Sequence, residues 1–534
     1  AASNGDVIQI AGGSYYPESP LNTSGKSVQL VGSVNSFGSQ TTVIYGTGHL
    51  GAIILCTSAE GPETRFENLR LTSGATGMFC DGTSPSFVNC GFSNNTVRGM
   101  YIGEGNPSLV DCEFFNNDGS TGAGLLMYEA SPTLDNCVFK YNSCNSWTGG
   151  GMHIQGGSPI IRNSLFELNS ANFNGGGVDI VANANPTFQS CIFRGNFGQG
   201  MQSFDSNVVV EDCVFEFNLE GGFYFENGNA SVLRCTFTAN HEVRTLVRAG
   251  GLSLVEAVST VEDCTFTNNT GRYGGAVISR EGSDTTLRNC IFGGNSVESF
   301  GGSIYSTESI YGNKFESSSL TVVGCQFRGG AANDGGAIYA SNEFVSLTDV
   351  IFDQNTAVED GGAVYCRNSS MVNLQDCTFT ANSALKSGGG IYGDSGSELF
   401  VNQCDLISNS AGNYPQGGSI AYSGGGIIFY GSATISSCQF LQNSAESPGG
   451  GLAAGSSTNA IAMSVTDCVF IGNKSSLGGG IYTWLEQDST IQNCVFTDNE
   501  VKFYGGGLVA GDTVRLKDNV VCANSLGQVR GDFI

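Results

Sequence analysis

A single-stranded right-handed parallel β-helix, a solenoid of about eighteen coils, is the all-β fold this sequence predicts, and three observations predict it. One phrase, apolar-x-Asn/Asp-Cys-x-Phe-x-x-Asn, recurs sixteen times across residues 90–499 at intervals of about 27 residues. A second phrase, Gly-Gly-Ala/Gly/Ser-apolar-aromatic, follows many copies of the first after a short variable stretch. Glycine accounts for 78 of 534 residues against 10 prolines, with 40% apolar and only 13% charged residues. That composition suits a chain with many tight bends around an apolar interior, not a linker.

One continuous domain is expected over 1–534. Its irregular N-terminal coils lie in 1–89, with strand patterns at Asp6-Val-Ile-Gln-Ile10, Ser27-Val-Gln-Leu-Val-Gly32 and Phe66-Glu-Asn-Leu-Arg-Leu71. The regular coils fill 90–499, for example Leu134-Asp-Asn-Cys137-Val-Phe139-Lys-Tyr-Asn142 and Val465-Thr-Asp-Cys468-Val-Phe470-Ile-Gly-Asn473. A closing coil around Asn519-Val-Val-Cys522 occupies 500–534. Cysteine fills fourteen of the sixteen Cys slots, Ser164 and Val350 the others; the Phe slot departs at Leu406 and the Asn slot at Gly330.

Alternation places Cys and Phe, two residues apart, on one face of a strand. Strands this short and this far apart in sequence cannot pair as hairpins, but coils stacked in register pair each strand with its own copy ~4.8 Å away. Phe then stacks on Phe, Cys on Cys, and Asn amides bond neighbouring coils at the bends. The pairs Cys264 and Phe266, Cys377 and Phe379, Cys468 and Phe470 are expected to point inward as a core stack, the thiols acting as small apolar filler or bridging between coils. Gly-Gly pairs supply the positive φ values and close approaches of the corners.

The net charge of −26 and pI near 4.3 argue against nucleic acid, which needs basic stripes. No run of ~18 apolar residues and no basic-then-apolar leader is present, so no membrane span is expected in this chain. Residue 1 is Ala, which points to a processed or partial product. Evenly spread cysteines offer no convergent ligand set, so neither metal nor cofactor is expected. Off the repeat, Cys56 and Cys80 end comparable strands one coil apart and are the disulfide candidate. Tyr305, Tyr339, Tyr365 and Tyr392, each closing a Gly-Gly phrase, are read as an exposed aromatic column. Such a column is a platform for sugar rings or a protein partner, or a set of rings that steady the outer face of the sheet. Asn-x-Ser/Thr sequons at Asn22, Asn94, Asn229, Asn268 and Asn368 permit N-glycosylation, and a sixth, Asn473, falls in the repeat's own Asn slot, where it is expected to be partly buried.

The paired Phe-x-x-Asn and Gly-Gly-Ala-Ile/Leu/Val phrases, carried by Phe92, Phe114, Phe139, Phe166 and onward to Phe496, resemble the repeats of polymorphic outer-membrane proteins, autotransported bacterial surface adhesins. Ala2-Ser-Asn-Gly-Asp-Val-Ile-Gln-Ile-Ala-Gly-Gly-Ser-Tyr15 is similar to the opening coil of pectin-lyase-like domains, and Cys522-Ala-Asn-Ser-Leu-Gly-Gln-Val-Arg-Gly-Asp532 to a closing phrase of such repeats. The usual capping helix does not precede the first strand, so a longer parent chain or a neighbouring subunit is expected to cover that end. The resemblance implies the β-helix and a surface location. In pectin-lyase-like enzymes the catalytic groups sit on an outward face, and here His153 and Asp179 share one outward slot in successive coils, with Gln202 next. They are the weak catalytic candidates, and Asp179→Asn is expected to change nothing if Asp179 is an ordinary surface carboxylate. The carboxylate clusters and calcium-plus-arginine sets of those enzymes do not occur at matching positions. The reading is therefore a non-catalytic extracellular structural or adhesive scaffold, part of a cell-surface coat, appendage or filament. Its partners would be other copies of itself, other surface subunits, and glycans. A carbohydrate-binding or carbohydrate-cleaving β-helix protein is the alternative.

Overall fold

A computed structural model describes residues 2–46, 51–173, 175–243, 247–308, 318–412, 423–455, 462–483, 489–511 and 513–530. Gly531 and Asp532 of the closing phrase lie outside them. The described residues form strands and turns without an α-helix, in two compact units, Ala1–Arg244 with Gly251–Ser253, and Thr245–Gly250 with Leu254–Ile534.

Each unit is a right-handed parallel β-helix built from one repeated course. In the first unit a coil runs through Met152–Gln155, Ile160–Arg162, Leu165–Glu167 and the two-residue Ser170–Ala171. Its three longer strands pair in parallel with Val178–Val181, Thr187–Gln189 and Ile192–Arg194 of the next coil. In the second unit the course is Val364–Arg367, Met371–Gln375, Thr378–Thr380 and Ser383–Ala384, each in register with the following coil. The register puts like on like. Phe114 and Phe139 stack with ring centroids 4.5 Å apart, Phe352 and Phe379 at 4.6 Å, Phe440 and Phe470 at 4.5 Å. Phe266, Phe379 and Phe470 are fully buried, each contributing roughly 1.5–3 kcal/mol by transfer alone.

Two corners flank the Phe strand, and at both the backbone enters the left-handed region without glycine. Asp376, before Cys377, has φ 55°, and Ala381, before Asn382, has φ 53°. Asp and Asn tolerate that conformation best, which explains the Asn/Asp slot before each cysteine. The Gly-Gly corner is different: Gly388 has φ 66°, and a Cβ on Gly362 would fall 2.1 Å from the carbonyl oxygen of Gly389 in the next coil. Only a residue without a side chain lets the coils approach there.

The Cys slot shows no bridge between coils among the described residues. Cys264, Cys377 and Cys468 are buried free thiols, and the slot is a hydrogen-bonding position. Cys404 Sγ accepts from Cys377 N at 3.4 Å and donates to Asn402 O at 3.2 Å. Ser164 makes the same pair of bonds, from Cys137 N at 3.1 Å and to Arg162 O at 2.7 Å. Ser164 thus fills a Cys slot without changing the corner.

Beside the Phe stack runs an asparagine ladder. Asn382 N and Nδ2 both donate to Asn409 Oδ1, at 3.0 and 2.9 Å, and Nδ2 also donates to Phe352 O at 3.0 Å. Asn117 repeats the pattern toward Asn142 Oδ1 and Phe92 O in the first unit. Gly330 keeps only the backbone bond, to Asn355 Oδ1. At the upper end the last donors, Asn524 N and Nδ2, are received by Gln528 Oε1 at 3.2 and 2.9 Å.

Phe379→Ala is expected to cost about 3–5 kcal/mol and to loosen mainly the adjoining coils. Limited proteolysis that cuts the variant and the parent chain identically would remove the inward assignment. Asn409→Ala removes four buried hydrogen bonds and takes from Asn382 N its acceptor, at about 1–3 kcal/mol for a group left unsatisfied. Hydrogen exchange should then accelerate around 378–384 and 439–445 and stay unchanged several coils away.

Candidate functional site

His153 and Asp179 lie opposite each other on adjacent first strands, with Met152 and Ile154, Val178 and Ile180 turned into the core. His153 Nδ1 sits 2.8 Å from Asp179 Oδ2, which also accepts from Thr148 Oγ1 at 2.7 Å. The sequence places the pair in solvent, and the structure corrects that: His153 is 6% exposed and Asp179 1%. The reason is local. The variable stretch between the Asn ladder and the Gly-Gly corner crosses over the outward slot, bringing Thr148 onto Asp179. Cys144, in the same stretch, donates its thiol to Thr148 O at 3.3 Å, and burial pushes it up to about 11. It is a protonated structural thiol, not a nucleophile. The pair holds an imidazole in place beneath a cover of the chain's own residues.

The tyrosine column exists as a stack, with centroid spacings of 5.4, 5.1 and 4.7 Å from Tyr305 through Tyr339 and Tyr365 to Tyr392. Its expected exposure does not hold. Tyr305 is 9% and Tyr339 3% exposed, and Tyr365 and Tyr392 are half-buried. Strands Thr270–Tyr273 and Ser296–Phe300 pack over it, Tyr273 against Tyr305 at 5.2 Å and Phe300 against Tyr339 at 4.7 Å. Burial raises the hydroxyls of all four tyrosines above their ordinary value. Tyr305 and Tyr339 form a second core with Ile278 and Ala249, while Tyr365 and Tyr392 continue the stack half-buried.

Cys56 and Cys80 are partners in register, as expected, but both are buried free thiols, so no bridge links them. Parallel in-register strands hold their Cβ vectors side by side, a poor geometry for a disulfide. Asn22, Asn94, Asn229, Asn268 and Asn368 are all exposed; Asn473, a rung of the Asn ladder, is fully buried.

Three features escaped sequence reasoning. Asp334, Glu359 and Asp360 bring carboxylate oxygens within 4.8 Å of one another, with Lys386 Nζ 2.8 Å from Glu359. Burial raises Asp334 and pushes Asp360 up to about 7. The second feature is a trough of about 520 Å³ in the second unit, floored by Ser383, Ser410 and Ser444 and their following alanines and ending at the Lys474–Glu500 ion pair. The third is Glu343, 5% exposed in a row otherwise held by Ser318, Ser370 and Ser397, where a lone acid among serines was the available signal. Its Oε2 accepts from Ser306 Oγ at 2.7 Å, Oε1 has no hydrogen-bond partner, and burial pushes the carboxyl up to about 8.

Comparison with known proteins follows the same lines. The family described as "Right handed beta helix region" matches residues 33–172, 118–257 and 250–526. A stretch of 98 residues is 45% identical to the "Probable autotransporter YfaL" of Escherichia coli strain K12. That stretch is 17% of this chain and 8% of the relative.

Glu343 generates a pH prediction. Its folded-state affinity for a proton exceeds that of the unfolded chain, whose ordinary value is 4.5. The stability it contributes is therefore full below pH 4.5 and lost as pH rises to about 8. Glu343→Gln, neutral and of the same shape, should melt like the parent at pH 4 and higher than the parent at pH 8. Equal midpoints at both pH values would contradict the buried placement.

Proposed function

The chain belongs to the right-handed β-helix family, and on that premise we propose that it is a non-catalytic scaffold displayed at a cell surface, structural or adhesive in role. The observation that carries this reading is the cover. The outward slots that hold the acid–base pair and the tyrosines Tyr305 and Tyr339 are covered by the chain's own variable stretches, which supports a scaffold over an open reaction centre on that flank. The net charge of −26 favours a dispersed, hydrated surface over tight packing against anionic partners. The partial likeness to an autotransporter supports the surface location, and the Phe-x-x-Asn phrases support the finer kinship with polymorphic outer-membrane proteins. Its partners on this reading are further copies of the chain or other surface subunits, with glycans on the exposed sequon asparagines in a host that adds them. The serine-floored trough favours a second reading, in which an extended carbohydrate lies along the coils of the second unit.

Two measurements test the proposal. Protease or antibody applied to intact cells of the source should reach the chain, and protection of the chain in intact cells would sink the surface reading. Wild-type protein offered a panel of polysaccharides should release no new chain ends. Asp179→Asn should leave that blank unchanged while lowering stability by about 1–3 kcal/mol, because it weakens a buried pair. Cleavage by the wild type that disappears in Asp179→Asn would establish an enzyme instead.

A further inference from the structure

Gln202 follows Asp179 in register on the first face and is 0% exposed, yet neither its Oε1 nor its Nε2 has a hydrogen-bond partner. Asp179 Oδ1 is also without a partner, since His153 and Thr148 both engage Oδ2. Gln199, equally buried, accepts from Gly175 N at 3.0 Å through Oε1, and its Nε2 is left over. Gln202 and Asp179 are neighbours in register, and Gln199 is bonded to Gly175, where a Cβ would come within 2.8 Å of the Asp179 Cβ. An orphaned buried polar group costs about 1–3 kcal/mol, and four together would consume much of a domain's net stability of about 5–15 kcal/mol.

We propose that these side chains share one niche, an internal hydration site holding at least one ordered water between Asp179, Gln199 and Gln202. The inventory selects the ligand. Asp179 Oδ1 and Gln202 Oε1 accept, and the two Nε2 groups donate. A metal cation wants acceptors alone and would face amide hydrogens; an anion wants donors alone and would face a carboxylate. Water donates twice and accepts twice, matching the set, and buried waters commonly make about three such bonds. Turning the Gln202 amide over exchanges its two ends and leaves the inventory unchanged.

High-resolution crystal structures of the full chain and of Gln202→Met, similar in volume but unable to make the bonds, test the site. The wild type should show a water about 2.7–3.2 Å from the Gln202 amide and from Asp179 Oδ1. The variant should lack it and melt lower, since Asp179 and Gln199 lose their bridge. Wild-type density in which protein groups close directly on the amide, or in which a metal or anion occupies the niche, overturns the proposal. So does a Gln202→Met midpoint above the parent's, the sign expected if the amide is simply unpaired. Should the variant fail to fold, the wild-type density decides alone.

Discussion

Everything in this molecule depends on parallel pairing in exact register, which places each residue against its own counterpart one coil away. A side chain that satisfies itself is therefore multiplied through the stack. The asparagine amide is such a group, since its N–H and its carbonyl oxygen can serve the amide below and the amide above at once. Asn382, Asn409 and Asn443 are joined in this way, and the same side chains cap backbone carbonyls such as Phe379 O. The apolar stacks supply most of the driving force, but they would tolerate slippage along a strand of similar residues. A slip of one residue would put the asparagines into the apolar stack and leave buried amides unpaired, so the polar ladder is what fixes the register.

The sequence made the inner layer legible because that layer obeys the strictest rule. Phe266, Phe379 and Phe470 point inward wherever the phrase occurs, and the departures at Ser164, Val350 and Leu406 preserve either the bond or the volume of the slot. The outer layer was illegible for an equally physical reason. Strand alternation says that Tyr305 and His153 point away from the core, but not whether the next stretch of chain will fold over them. That stretch varies from coil to coil in length and composition, so no repeat announces it. Half of the expected column, Tyr305 and Tyr339, thus lies in a second core, and the acid–base pair is covered. The left-handed corners were half visible: glycine was read as the source of positive φ, while Asp376 and Ala381 carry it equally.

The same covering layer explains where polar irregularity accumulates. In the first unit, Thr148, Cys144, Asp179, Gln199 and Gln202 fill the space between the first face and its cover, where the second unit has Ile278, Tyr305 and Tyr339. Both fillings close the flank, one by packing and one by hydrogen bonds. Glu343 is the comparable irregularity of the inner layer, an acid where serines stand in the coils on either side.

The asparagine ladder is also a vector. In both units the amide hydrogens of one coil are received by the carbonyl oxygen of the coil that follows it in sequence, as from Asn117 to Asn142 and from Asn473 to Asn499. A stack truncated at any coil therefore shows hungry donors on its later edge and a spare acceptor on its earlier one. A chain that lays down coils in the order of its synthesis or export always ends on donors, and each new coil arrives carrying the oxygen they lack. Growth in the reverse order would have to pair the ladder from its acceptor side. The two edges of a half-built solenoid are thus chemically unlike, and Gln528 is the residue that brings this asymmetry to rest.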